Sequence, residues 1–197
     1  MKEKINLKID WATHKAAKYA CEHWHYSGCH PSTLQKAYRI GIWENEKFKG
    51  VIIFGMGANP QIGSPYNLKN TEICELTRVA LKEHKIEVSK MIKIALIFLK
   101  KSFPEMKLIV SYADTGQGHH GGIYQAGNWI YVGISKGVDS IFYNGKKYHA
   151  KGFRTSYGNK KVTKEMKIKG TDKHKYLMPL TKEMRKEIIK LEKEYPK

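Results

Sequence analysis

The sequence has few of the features that are typical of membrane proteins, secreted proteins or proteins stabilised by bound zinc. No run of about 18 uncharged apolar residues suggests a membrane span, and residues 1–10 lack the apolar core of a secretory signal. The three cysteines, Cys21, Cys29 and Cys74, show no C-x-x-C spacing, which argues against a thiolate zinc site and fits a reducing compartment. These absences predict a cytoplasmic protein without membrane association. Since no repeat or linker interrupts the chain, we also expect a single domain over residues 1–197.

Acidic residues are also scarce beside basic ones. The chain has 18 Asp and Glu against 36 Lys and Arg, which gives a formal net charge of +18. Residues 144–197 hold 17 of the basic and 6 of the acidic side chains, a net charge of +11. Because phosphate neutralisation supplies most non-specific affinity for nucleic acids, this excess predicts a polyanionic partner that contacts residues 144–197. A basic surface that serves only solubility is the alternative.

Hydrophobic periodicity predicts an α+β fold with a mixed central sheet. The predicted elements are a helix over 11–24 capped by Asp10, two strands around a turn at 44–47, a strand over 72–81, a helix capped by Ser89, strands over 107–114 and 130–133, a hairpin turning at Asn144-Gly145, and a helix over 181–195. The helix after Ser89 is apolar nearly all round, so we expect it to pack inside the domain.

Strict alternation along residues 72–81 predicts which side chains share a face of that strand. It places Glu75 with Ile73 on one face and Arg78 with Leu76 on the other. A buried arginine needs a carboxylate or phosphate partner because an unpaired guanidinium is costly to bury. By this alternation Glu75 is not the partner of Arg78.

Three polar side chains stand at the ends of predicted elements. His25 and Tyr26 follow the first helix, and Asp114 follows an apolar strand. If the two ends meet, the three side chains form a nitrogen and oxygen ligand set that suits divalent iron or zinc. A packed helix terminus for His25 and Tyr26, and an Asx turn for Asp114, are the structural alternatives.

The segment GQGHHGG, residues 116–122, predicts a loop that allows close approach to a ligand. His119 and His120 either contact phosphate or metal there or face solvent. Tyr124 and Trp129 follow the loop, and they either pack in the core or stack on a flipped base.

Six features in this order resemble the phage Mom proteins, a family of DNA-modifying proteins, over roughly residues 20–157: HYSG (25–28), GVIIFG (50–55), ELTRVAL (75–81), a helix beginning at Ser89, SYAD (111–114) and GHHGGIYQAGNW (118–129). The resemblance implies a GNAT-type acyltransferase fold. It also implies transfer of an acetamido (methylcarbamoyl) group to N6 of adenine in double-stranded DNA, which protects phage DNA from host restriction.

The resemblance also suggests roles for individual residues. It implies iron as a cofactor, with His25, Tyr26 and Asp114 at the metal-associated positions. It places Arg78 on the functional arginine of the family, and we predict Asp114, Arg78 and Tyr124 as catalytic residues. Replacement of Asp114 by alanine is expected to abolish modification while DNA binding remains.

One departure from the fold's usual pattern concerns acetyl-CoA. Acyltransferases of this type hold the pyrophosphate with a loop of the form R/Q-x-x-G-x-G/A before the central helix, whereas residues 81–90 here read LKEHKIEVSK, without glycine. Acetyl-CoA remains a candidate cofactor, held by the side chains of Lys82, Lys85 and Ser89.

The alternatives to DNA modification are an acetyl-CoA-dependent N-acyltransferase for RNA or a small molecule, and a non-catalytic DNA-binding protein. The oligomeric state stays open, with a homodimer as one option.

Overall fold

The structure, a computed structural model, describes residues 5–28, 37–57 and 59–196. Its strands are β1 (Leu7–Trp11), β2 (Tyr38–Glu44), β3 (Lys47–Gly55), β4 (Ile73–Leu81), β5 (Leu108–Asp114), β6 (Ile130–Ser135), β7 (Ser140–Tyr143), β8 (Lys146–His149), β9 (Lys167–Ile168) and β10 (Lys173–Pro179). Its α-helices are α1 (His14–Trp24), α2 (Val88–Ser102), α3 (Gly122–Gln125), α4 (Ala150–Tyr157) and α5 (Lys182–Ile188). Within these described ranges, no helix is long and apolar enough to cross a membrane.

Seven of the strands form the central sheet, in the order β1-β2-β3-β4-β5-β10-β6. Neighbouring strands are antiparallel except β4 and β5, which run parallel. These two strands pair only from Ile73 opposite Leu108 to Leu76 opposite Ser111, although β4 continues to Leu81 and β5 to Asp114. The sheet therefore splits open between β4 and β5, and this split positions the candidate site.

Helices cover both faces of the central sheet. On one face, Met91, Ile92 and Ala95 of α2 are buried against residues of β2 to β5 and against the segment after α3. On the other face, α1 packs on β3 and β4, and α5 packs on β10. The predicted α+β class, with a mixed sheet and a buried central helix, is confirmed.

A second, smaller sheet lies in the segment between β6 and β10. Its strand order is β8-β7-β9, and α4 follows β8 directly. Phe153 of α4 is 2% exposed and lies in edge-on contact with Tyr143 and Tyr148, while Tyr157 packs on all three rings. The segment between β6 and β10 therefore forms a small packed unit, which we call the basic insertion (residues 136–172).

The ends of several elements differ from the sequence predictions. Residues 7–11 form a strand, so α1 begins at His14, and Thr13 rather than Asp10 caps it by accepting a hydrogen bond from the Ala16 amide. The cap of α2 is Glu87, and Ser89 lies inside the first turn. The predicted closing helix ends as α-helix at Ile188.

Candidate active site

The split between β4 and β5 opens into a cavity of about 460 Å³. Its described wall comprises His25 and Tyr26 after α1, residues 76–79 of β4, Tyr112 and Ala113 of β5, residues 118–124, and Leu81, His84 and Val88 near the start of α2. The cavity thus collects side chains from both faces of the sheet. Of the predicted site residues, His25, Tyr26, Arg78 and Tyr124 lie in this wall.

A β-bulge at Thr77 determines which side chains of β4 enter the cavity. Ile53 of β3 pairs with Arg78, and the next residue, Phe54, pairs with Leu76, so Thr77 is an extra residue. The bulge reverses the alternation, and Arg78 comes to the same face as Glu75. The prediction that these two residues lie on opposite faces was wrong for this reason.

Arg78 is incompletely hydrogen-bonded in the cavity wall. Its Nη1 donates to the Thr77 carbonyl oxygen at 2.7 Å. Its Nε is buried and has no hydrogen-bond partner among the described residues. An unsatisfied buried donor is costly, and this N–H has almost no accessible surface, so an oxygen atom of a ligand reaches it only if the side chain turns toward the cavity.

Glu75, which the sequence analysis excluded as the partner of Arg78, lies in β4 directly before the cavity wall rather than in it. Burial raises the pKa of its carboxyl group to about 7, although Lys173 and Arg78 act in the opposite direction. The backbone of Gly57 lies directly against it, and a Cβ at that position would be 1.9 Å from Glu75 Oε2. With a pKa of about 7, the Glu75 carboxyl group can gain or lose a proton near neutral pH. The bulge that brings it to Arg78 has no signal in the sequence pattern.

His25 and Tyr26 form an aromatic group with His119 at the cavity. The ring centroids are 4.2 Å apart for His25 and Tyr26, and 5.3 Å apart for Tyr26 and His119. Burial lowers the pKa of His25 to about 4, and Arg78 and His119 add to the effect. Its Nδ1 lies 2.8 Å from Ser27 Oγ and accepts the Ser27 amide N–H at 3.1 Å.

Tyr124 occupies the inner end of the cavity and is 7% exposed. Its hydroxyl is hydrogen-bonded to Ser111 Oγ at 2.8 Å, and Ser111 Oγ also donates to the Leu76 carbonyl oxygen at 3.0 Å. Burial raises the pKa of Tyr124 to about 12, so the phenol is neutral at physiological pH. Trp129 is 1% exposed and packs against Tyr124 as part of the core.

The loop that follows β5 is tied to the sheet. The His120 carbonyl oxygen accepts hydrogen bonds from the Tyr176 hydroxyl and from Gln125 Nε2. Gly121 has a φ of +86°, and a Cβ there would be 2.4 Å from the Tyr176 ring. Only glycine fits this left-handed position against the ring, so the loop is packed in place beside the cavity.

Asp114 is not among the described residues of the cavity wall. Its Oδ1 accepts hydrogen bonds from the Gly116 amide at 2.9 Å and the Thr171 hydroxyl at 2.7 Å. The Asx-type turn anticipated for it is therefore present, and the carboxylate also joins the loop to the end of the basic insertion.

The structure does not bring the three predicted iron ligands, His25, Tyr26 and Asp114, together in the cavity wall. His25 and Tyr26 line the cavity, whereas Asp114 lies outside the wall and its Oδ1 accepts hydrogen bonds from Gly116 and Thr171. In the part of the chain that the structure describes, no group of three or more His, Cys, Asp and Glu side chains is placed to hold a metal ion.

The three residues predicted to hold a cofactor lie apart from the cavity wall. The Lys82 ammonium lies 5.0 Å from the centroid of the Trp24 ring. Ser89 lines a different groove, between α2 and the segment around Asn128. The Lys85 amide donates to the carboxylate of Glu44.

Comparison with known proteins identifies both the fold and the family. An N-acetyltransferase from Staphylococcus aureus Mu50 matches with a TM-score of 0.52 and 11% identity over 89% of this chain and 98% of that chain. A GNAT family acetyltransferase from Elizabethkingia anophelis with acetyl-CoA bound matches with a TM-score of 0.50 and 16% identity over 89% and 99%. These likenesses show the GNAT fold.

The methylcarbamoylase mom of Escherichia phage Mu is 29% identical over 116 residues, which are 56% of this chain and 47% of that protein. The chain thus spans about half the length of this curated relative. The model of the Mom protein family matches residues 6–197. Because that match covers nearly the whole sequence, the chain belongs to the Mom protein family.

Proposed function

We propose that the protein is a transferase that adds an acetamido (methylcarbamoyl) group to N6 of adenine in double-stranded DNA, so that phage DNA escapes host restriction. The observation that carries the proposal is the family match over residues 6–197. The likeness to the phage Mu methylcarbamoylase supports it. The cavity at the β4–β5 split supplies a place for the reaction.

The chemistry requires help because N6 of adenine is a poor nucleophile, its lone pair being delocalised into the ring. In the proposed step a bond forms between N6 and a carbon of an activated methylcarbamoyl donor. The bond from that carbon to the leaving atom breaks, N6 loses a proton, and the leaving atom gains one. A site for this step needs a proton acceptor, a proton donor and hydrogen-bond donors for the carbonyl oxygen.

We assign these roles to residues of the cavity wall and to Glu75, which lies beside it. The Arg78 guanidinium and the His25 ring, which line the cavity, are the donors assigned to the carbonyl oxygen. Tyr124 is a neutral phenol and is the assigned proton donor. Glu75, with a pKa of about 7, is the assigned proton acceptor. Tyr26 is 59% exposed beside the cavity and is placed to stack on a base that has left the duplex.

The basic C-terminal part, residues 144–197, is the proposed contact for the phosphate backbone. The basic insertion, residues 136–172, overlaps this part and presents exposed lysines on its small sheet, beside a packed aromatic core. The end of the insertion reaches the cavity loop, where the Thr115 hydroxyl donates to the Asp172 carbonyl oxygen at 2.7 Å. Asp114, which bonds Thr171, is a positioning residue in this proposal.

Nucleoside mass spectrometry of plasmid DNA from cells expressing the protein tests the proposal. We expect an adenosine heavier by the acetamido group with the parent protein, and loss of that species with Asp114→Ala. The heavier nucleoside would also identify the transferred group. Unchanged nucleosides from well-expressed protein would contradict the proposal and favour the acyltransferase or DNA-binding alternatives. A titration with acetyl-CoA and a DNA-binding assay then distinguish those two.

A further inference from the structure

The loop before α2 directs two backbone amides at a carboxylate of the protein itself. The Lys85 N–H donates to Glu44 Oε1 at 3.0 Å and Oε2 at 3.1 Å, and the Ile86 N–H donates to Oε1 at 2.9 Å. Glu44 is the last residue of β2 and is only 4% exposed. The Lys49 ammonium lies 4.0 Å from Oε2 and donates to the Glu83 carbonyl oxygen at 2.9 Å.

Successive backbone amides whose N–H groups converge form a general anion site, and Lys85 and Ile86 provide two such amides in the loop before α2. Here the charge comes from Glu44, which receives three N–H···O contacts from two amides. A carboxylate buried to this extent needs such donors, since an unsatisfied buried charge is very costly. Glu44 and the two amides therefore satisfy one another.

We infer that Glu44 is an internal anion that closes the amide site before α2. The protein therefore does not hold the pyrophosphate of a nucleotide-linked donor with the amides of Lys85 and Ile86. What this means for the methylcarbamoyl donor rests on the proposed transferase function. A donor that reaches the cavity does so without a diphosphate anchored at this loop.

The direct test follows the two amides by ¹⁵N NMR in the full-length protein. Inorganic pyrophosphate and acetyl-CoA are added separately, at an ionic strength held constant with chloride. In the parent protein we expect the Lys85 and Ile86 resonances to stay in place. In Glu44→Ala, which removes the acceptor shared by both amides, we expect pyrophosphate to move their resonances saturably. Glu83→Ala removes an exposed carboxylate of the same loop and is expected to behave as the parent.

Two results would overturn the inference. One is saturable movement of the two resonances in the parent protein with either ligand. The other is their failure to respond in a folded Glu44→Ala variant. If that variant does not fold, Glu44→Gln provides the test: hydrogen exchange at both amides should be about tenfold faster than in the parent, because a charged acceptor is lost. Unchanged exchange would overturn the inference.

These readouts do not depend on DNA modification. If mass spectrometry finds unmodified adenosine while the amides behave as expected, the proposed function fails and the role of Glu44 stands. If modification is found and the parent amides respond to acetyl-CoA, the inference fails and the function stands.

Discussion

Replacement of Glu75 by glutamine measures how much the raised pKa of this carboxyl group contributes to the pH dependence of stability. Glutamine keeps the shape of the side chain and removes its titration. Burial raises the pKa of Glu75 from an ordinary value of 4.5 to about 7 in the folded protein. The folded protein therefore keeps a proton that the unfolded chain releases. Its stability falls as pH rises from about 4.5 through about 7, and the loss is complete above that value.

The size of the effect follows from the two pKa values. Their difference corresponds to about 3 kcal/mol, of which about 2.5 kcal/mol develops between pH 5 and pH 8. The Glu75→Gln variant does not lose this contribution. We therefore expect it to gain about 2.5 kcal/mol relative to the parent when the pH is raised from 5 to 8.

Urea unfolding at the two pH values measures the difference. With an m-value of about 2 to 3 kcal/mol per molar, the midpoint of the variant should rise relative to the parent by about 1 M. Glu105→Gln, at an exposed glutamate, is the matched control and should show no such change. The same midpoint difference at pH 5 and pH 8 would refute the elevated pKa of Glu75, and with it the role of proton acceptor.

Two further predictions separate chemistry from positioning. Tyr124→Phe keeps the packing against Trp129 and removes the hydroxyl, so we expect modified adenosine to fall about 100-fold with little change in thermal stability; retained modification in the mass spectrum would remove Tyr124 as proton donor. Thr171→Val removes one hydrogen bond to Asp114 and leaves the carboxylate in place. If Asp114 acts by positioning, this variant should also lower modification, and normal modification beside an inactive Asp114→Ala would instead assign Asp114 to the chemistry.

The sequence predicted much of the cavity wall because its motifs lie at the ends of elements that meet. His25 and Tyr26 follow α1, and Arg78 and Tyr124 lie on either side of the split. The error at Glu75 has a local cause, since alternation assumes a regular ladder and the bulge at Thr77 adds one residue. Nothing in the residue types of β4 marks that position.

The strand β10 was missed for a different reason. It lies between β5 and β6 and pairs with both, although it follows β6 by nearly forty residues. Its sequence, KHKYLMP, carries three basic or ring-nitrogen side chains and a proline, so local pattern does not favour a central strand. Partners on both sides fix it in the sheet, which is a tertiary effect that local propensity does not report.

The position of β10 also explains why the end of the basic insertion contacts the loop beside the cavity. Because β10 returns beside β5, Lys173 pairs with Asp114, and the last residues of the insertion lie against the loop that begins at Thr115. Asp114 accepts from Thr171, and Thr115 donates to the Asp172 carbonyl oxygen through both its amide and its hydroxyl. The insertion and the loop beside the cavity are therefore joined through Asp114 and Thr115.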